Sequence, residues 1–163
     1  MTTKILNKSK IILGSFRFFA AVVLLLSSVP SVQAQEGSSF GLGILVGQPS
    51  GLVAKLWQGK TEALDFGLAY SFEGYFQVYG DYLYHFPDAL AKTHIQNLTP
   101  YVGVGGSFSA ATTVAVGIRI PVGVEWMPVN PSIGVFLELA PGIHVIPSTS
   151  GRIQGGVGVR YYF

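Results

Sequence analysis

The stretch TVAVGIRIPVGVEWM, residues 113–127, decides how the chain is read. Val114, Val116, Ile118, Ile120, Val122, Val124 and Trp126 share one parity, and Thr113, Ala115, Gly117, Arg119, Gly123 and Glu125 share the other. Successive side chains of a β-strand point to opposite faces, so this segment presents one large apolar face and one small or charged face. The pattern recurs. In 63–72, Leu64, Phe66, Leu68, Tyr70 and Phe72 oppose Ala63, Asp65, Gly67, Ala69 and Ser71. In 152–163, Ile153, Val157, Val159, Tyr161 and Phe163 oppose Arg152, Gln154, Gly156, Gly158, Arg160 and Tyr162.

Turn chemistry separates these segments. Glycine supplies positive φ, proline presets φ, and Asn or Ser bonds its own backbone. Such residues break the chain at 48–50, 59–61, 73–74, 87–99, 110–112, 129–132 and 147–151. Eight strands are predicted, near 40–47, 51–58, 63–72, 75–86, 100–109, 113–127, 133–146 and 152–163. An even strand number with short connections favours an all-β, antiparallel up-and-down barrel. Pro121 and Pro141 fall inside predicted strands, where proline cannot donate to the ladder.

The composition says which face turns inward. Only 11% of residues are charged, and 21 are glycine. A water-facing surface is much richer in Lys and Glu than the small-residue face found here. Gly, Ala and Ser suit the cramped interior of an eight-stranded barrel. The apolar face then meets lipid, and closure removes the sheet edges that lipid cannot satisfy. Parity places Lys55, Arg119, Arg152 and Arg160 inward, together with Asp65, Asp81, Glu125 and Glu138. Equal numbers of opposite charges describe a plugged polar lumen rather than an ion-selective pore, where one sign dominates. Aromatic residues form two bands at the strand ends. Phe40, Tyr84, Phe86, Trp126, Tyr161 and Phe163 lie on the side of the termini, and Tyr70, Phe72, Phe76 and Phe108 on the other. Girdles of this kind mark the two membrane interfaces.

Residues 1–34 read differently. Lys4, Lys8, Lys10 and Arg17 precede the apolar core Phe18 to Leu26, and Val32 and Ala34 stand at the −3 and −1 positions of a cleavage site. This is the order of a secretory signal peptide, with an apolar core too short to span a bilayer comfortably. Residues 35–163 form the expected barrel domain. That part carries six basic and eight acidic residues, a net charge of −2, so the basic pI belongs to the leader. Nucleic-acid binding has no electrostatic support. The absence of cysteine excludes disulfides, cysteine metal sites and a lipid-modified N-terminal cysteine.

The segments GLGILVGQPSGLVAKLW (41–57), ALDFGLAYSF (63–72), DYLYHF (81–86), FLELAPGI (136–143) and GGVGVRYYF (155–163) resemble, in that order, a family of short bacterial outer-membrane β-barrel proteins. More broadly, the chain is similar to the eight-stranded OmpA/OmpX class. The resemblance implies a bacterial outer-membrane location with both termini periplasmic, which makes 87–99, the longest connection, periplasmic and the outside loops short. It also implies that Val157, Val159, Tyr161 and Phe163 form the signal read by the barrel assembly machinery. It brings no catalytic residues.

Other chemistry finds little support. The patterns Gly41-x-Gly43, Gly103-x-Gly105-Gly106 and Gly155-Gly156-x-Gly158 lack the strand-to-helix context of a phosphate loop. His85 and His144 fall near opposite strand ends and His94 in a connection, so no shared metal site is expected, and each reads singly as an interfacial or lumen hydrogen-bonding residue. A Ser148, His144 and Glu138 triad would need Glu138 about 20 Å closer along its strand, at roughly 3.3 Å per residue. No cofactor and no catalytic residue is therefore expected. The expected partners are outer-membrane lipid and, during biogenesis, the assembly machinery, with a host or envelope protein at the loops left open. The function expected is structural or one of surface interaction. The alternatives are a narrow channel for small solutes and a lipid-modifying enzyme.

Overall fold

The computed structural model describes residues 39–90, 97–128 and 132–163. The leader assigned to 1–34, and His94, lie outside these described residues. The strands are β1 (Phe40–Gln48), β2 (Ser50–Trp57), β3 (Glu62–Tyr70), β4 (Phe76–His85), β5 (Leu98–Ala110), β6 (Val114–Arg119), β7 (Val122–Trp126), β8 (Ile133–Ile146) and β9 (Ser150–Tyr162). Each predicted strand falls within two residues of an observed boundary, except that the sixth is divided in two.

The division has a local cause. β6 and β7 both lie between β5 and β8, and the register runs through the gap unbroken. Arg119 faces Gly105 and Gly142, while Val122 faces Val102 and Leu139. The two segments are one strand interrupted at Pro121. Gly103 N–H donates to the Pro121 carbonyl, and Ile120 N–H donates to the Pro141 carbonyl, both at 2.8 Å. Neither proline has an N–H to return, so each removes one ladder bond. A bulge between Val116 and Gly117 adds a further irregularity against β8. The prolines therefore sit within the sheet, and the fold is an eight-stranded antiparallel barrel. β1 pairs with β9 from Gly41↔Tyr162 to Gln48↔Gly155, which closes it.

Burial follows the parity set out above. Leu42, Ile44, Phe66, Leu68, Val116, Ile118, Val157 and Val159 are exposed on the outer surface, whereas Lys55, Asp65, Arg119, Glu125 and Arg160 are buried inside. All ten residues of the two aromatic bands face outward. A soluble protein does not present a continuous apolar belt of this extent, and a transmembrane barrel requires one.

Inside, large rings are seated over glycines on adjacent strands. A Cβ on Gly67 would overlap the Tyr79 ring, and one on Gly158 would overlap the Phe136 ring. Leu45, Val53, Tyr79 and Phe136 thus form an apolar cluster within the lumen. Ala63, Leu83 and Tyr101 form a second, with Trp57 packed against it. These clusters fill the narrow interior and fix where the charged groups can lie.

Candidate functional site: the charged lumen

Glu125, on β7, is the hub of one network. Its Oε2 lies 2.5 Å from Lys55 Nζ, and its Oε1 accepts from Tyr162 OH at 2.5 Å and from Arg160 Nη1 at 3.4 Å. Arg160 Nη2 reaches Asp65 Oδ1 at 2.7 Å. Lys55 Nζ also lies 2.7 Å from His85 Nε2, and His85 Nδ1 lies 3.1 Å from the Thr61 carbonyl. An ammonium only donates, so Nε2 accepts and the ring hydrogen sits on Nδ1, directed at Thr61. The cations also rest on π-faces. Lys55 Nζ is 4.4 Å from the Trp57 ring centroid, and the Arg160 guanidinium is 4.4 Å from that of Phe136.

Arg119, on β6, is the hub of the second network. Its Nη2 donates to Glu138 Oε1 at 2.6 Å, and Tyr101 OH donates to Glu138 Oε2 at 2.9 Å. The guanidinium is stacked 3.8 Å from the Tyr79 centroid. Arg119 Nε lies 3.2 Å from Asp81 Oδ2, an ion pair by distance, yet neither Asp81 oxygen has an aligned donor among the described residues. The pair is electrostatic contact without a directed hydrogen bond. Towards the end opposite the termini, Gln77 and Gln154 exchange amide hydrogen bonds at 3.2 and 2.5 Å across the lumen.

Seven of the eight charged residues assigned to the lumen by parity are therefore enclosed. Arg152 takes another position. Its side chain is 30% exposed, stacks 4.3 Å from the Tyr75 centroid and pairs with Glu73 at 3.2 Å. It stands at the mouth because β9 extends past the enclosed part of the barrel there, and parity fixes a face but not a depth. The enclosed set is consequently three cations and four carboxylates, not four of each.

His85, expected as an interfacial or lumen hydrogen-bonding residue, joins the network, and so do Tyr101, Tyr162 and Gln77, which carry no charge to mark them as network members. Their parity marked them as inward, but only the cross-barrel register brings them to Lys55, Glu138, Glu125 and Gln154. The Ser148, His144 and Glu138 set is not assembled: Glu138 is occupied by Arg119 and Tyr101, while Ser148 lies on an exposed turn. The glycine patterns lie within β1, β5 and β9. Among the described residues, no group of three or more His, Asp or Glu side chains is placed to hold a metal ion. Val157, Val159, Tyr161 and Phe163 form an exposed outward row at the closing strand, and Phe163 N–H donates to the Phe40 carbonyl at 2.9 Å.

A closed antiparallel barrel, a continuous apolar exterior between aromatic girdles and an internally paired lumen define a small transmembrane β-barrel of the outer-membrane kind. Solved structures agree on the fold. The N-terminal β-barrel domain of Pseudomonas aeruginosa OprF superposes with a TM-score of 0.60 at 16% identity, covering 79% of this chain and 100% of that one. A de novo designed transmembrane β-barrel gives 0.53 at 16% identity, covering 79% and 98%. Neisserial surface protein A gives 0.50 at 14% identity, covering 76% and 93%. The sequence matches no protein-family model and no curated protein.

Proposed function

We propose that the protein is a non-enzymatic integral barrel of the bacterial outer membrane, with a structural or surface-interaction role. The observation that carries this reading is the pairing of lumen charges with one another. Arg119, Arg160 and Lys55 are each held by a carboxylate from another strand, with Arg119 stacked on Tyr79 and Arg160 on Phe136. A conduit needs mobile or single-sign groups along its axis, whereas this arrangement ties the wall together across the lumen. An enzyme of the acyl-transfer kind needs a nucleophile and a free base within reach of one another, and the carboxylates at the two hubs, Glu125 and Glu138, are already committed to Lys55, Arg160, Tyr162, Arg119 and Tyr101.

In this reading the leader at 1–34 is removed during export, and the outward row Val157, Val159, Tyr161 and Phe163 is recognised by the barrel assembly machinery. The termini are then periplasmic, and the turns at 48–50, 71–75, 111–113 and 147–149 face outward. The test is threefold. Unheated protein in detergent should migrate differently from boiled protein on a gel, planar bilayers should show no steady single-channel current, and deletion of the gene should leave lipid A and phospholipid profiles unchanged. Steady currents would replace this reading with a narrow channel. An altered lipid profile that wild-type protein restores would replace it with a lipid-modifying enzyme.

A further inference from the structure

At the barrel end opposite the termini, donor side chains converge on one small crevice. Ser107 comes from β5, Arg119 from β6, His144 from β8, and Arg152 and Gln154 from β9. Small residues make the room. Ala140 and Gly142 line the same crevice, and a Cβ added to Gly117 would stand 2.9 Å from the His144 ring and 3.2 Å from Ser107 Oγ. The imidazole and the hydroxyl therefore approach each other over bare backbone.

The floor of the crevice is committed, since Arg119 holds Glu138 and Gln154 holds Gln77. The rim is not. Arg152 donates through Nη2 to Glu73, but its Nη1 is buried with no partner among the described residues. Ser109, on the same face of β5 as Ser107 and nearer the mouth, is buried and its hydroxyl also has no partner there. Ser109 does not line the crevice, so the open donor there is the Arg152 N–H; a buried guanidinium N–H left in this way is costly, and the group that satisfies it is an oxygen acceptor. The lining holds two guanidinium groups, an imidazole, an amide and a hydroxyl, and no carboxylate.

We propose that this mouth binds a phosphate-type oxyanion, with Arg152 as its principal ligand and His144 and Ser107 beside it. The Tyr75 ring holds the guanidinium in place, so the donor fork is oriented before the anion arrives. The carboxylate of Glu73 is 62% exposed, and an exposed ion pair is weak, so Glu73 acts as a displaceable occupant of the same fork. The crevice is small, about 10 Å³, room for one oxygen atom of a phosphoryl group, and the rest of the ligand stays in the open mouth. Both inorganic phosphate and the phosphomonoester headgroup of a lipid have this chemistry. The site is independent of whether the barrel has a protein partner.

The test uses the barrel purified in detergent and titrated with inorganic phosphate, followed by the arginine side-chain and histidine ring NMR signals. A parallel arm uses nanodiscs of phosphatidylcholine with and without phosphatidic acid. Saturable shifts of the Arg152 and His144 signals are expected. Arg152→Gln should weaken binding about tenfold or more, the range for a hydrogen bond to a charged group. Glu73→Gln should tighten it, and both variants should keep the heat-dependent gel mobility of a folded barrel. Shifts with inorganic phosphate assign the site to free phosphate, and shifts with phosphatidic acid alone assign it to a lipid headgroup; either supports the proposal. No saturable shift in either arm, or equal affinity in folded Arg152→Gln and wild type, would overturn it.

Discussion

Glu125 shows what a single residue does in this lumen. It accepts from Lys55, Arg160 and Tyr162 at once, with 1% exposure. Removing its charge leaves two buried cations with one carboxylate, Asp65, between them. Breaking a buried pair from one side costs roughly 3–5 kcal/mol, because the remaining charge is uncompensated. Glu125→Gln should therefore lower the urea midpoint of the detergent-folded barrel, read by tryptophan fluorescence, without changing the slope. Replacing Lys55 by Met in the same chain should recover part of the loss. Gly67 tests packing instead of charge. Its missing side chain gives room to the Tyr79 ring, which carries the Arg119 stack. Gly67→Ala should destabilise by about 1–3 kcal/mol, the cost of overpacking, whereas Gly59→Ala, where a Cβ meets nothing, should be near neutral.

Elements differ in how well their ladders are completed. β2 pairs with β3 over eight successive residue pairs without interruption. The strand made of β6 and β7 carries Pro121, faces Pro141 and is bulged at Val116/Gly117. Local opening follows the weakest stretch of ladder. Amides of β6 and of the β8 segment opposite it should exchange at lower denaturant than those of β2 and β3, measured by hydrogen exchange on the folded barrel. Equal protection in both places would mean that the lost bonds are compensated by packing. β9 poses a different question, because its outward row is exposed and Phe163, the residue just after it, closes on Phe40. Under the proposed assembly role, Phe163→Ala should reduce outer-membrane levels in cells several-fold while leaving refolding in detergent nearly unchanged. Equal loss in both settings would make Phe163 a stability residue.

At the scale of the whole molecule, the outside is apolar and the inside is polar, the reverse of a soluble barrel. The consequence is that stability depends on the solvent outside. Transfer from detergent to water should cause aggregation, and returning a denatured chain to detergent should restore the slower or faster gel band of the folded form. Single-channel recordings address the interior independently, since the paired lumen predicts none.

How much of this was legible in the sequence depended on the type of signal. Period-two alternation is local, so strand existence, strand number and the facing of Leu64 to Phe72 or Val114 to Trp126 could be read directly. The same parity marked Lys55, Asp65, Asp81, Arg119, Glu125, Glu138 and Arg160 as inward. It also marked Arg152, which the structure places at the mouth, because parity carries no measure of depth. Partners are a matter of register and closure, which are non-local. Lys55 meets Glu125 and His85, and Arg160 meets Asp65, across a lumen whose strands are brought together only when β1 pairs with β9. The sequence by itself determined which face of each strand was greasy, because side-chain direction alternates residue by residue. Only the tertiary structure decided which charges neutralise one another and which donors at the mouth remain open, because those depend on distances across a closed barrel.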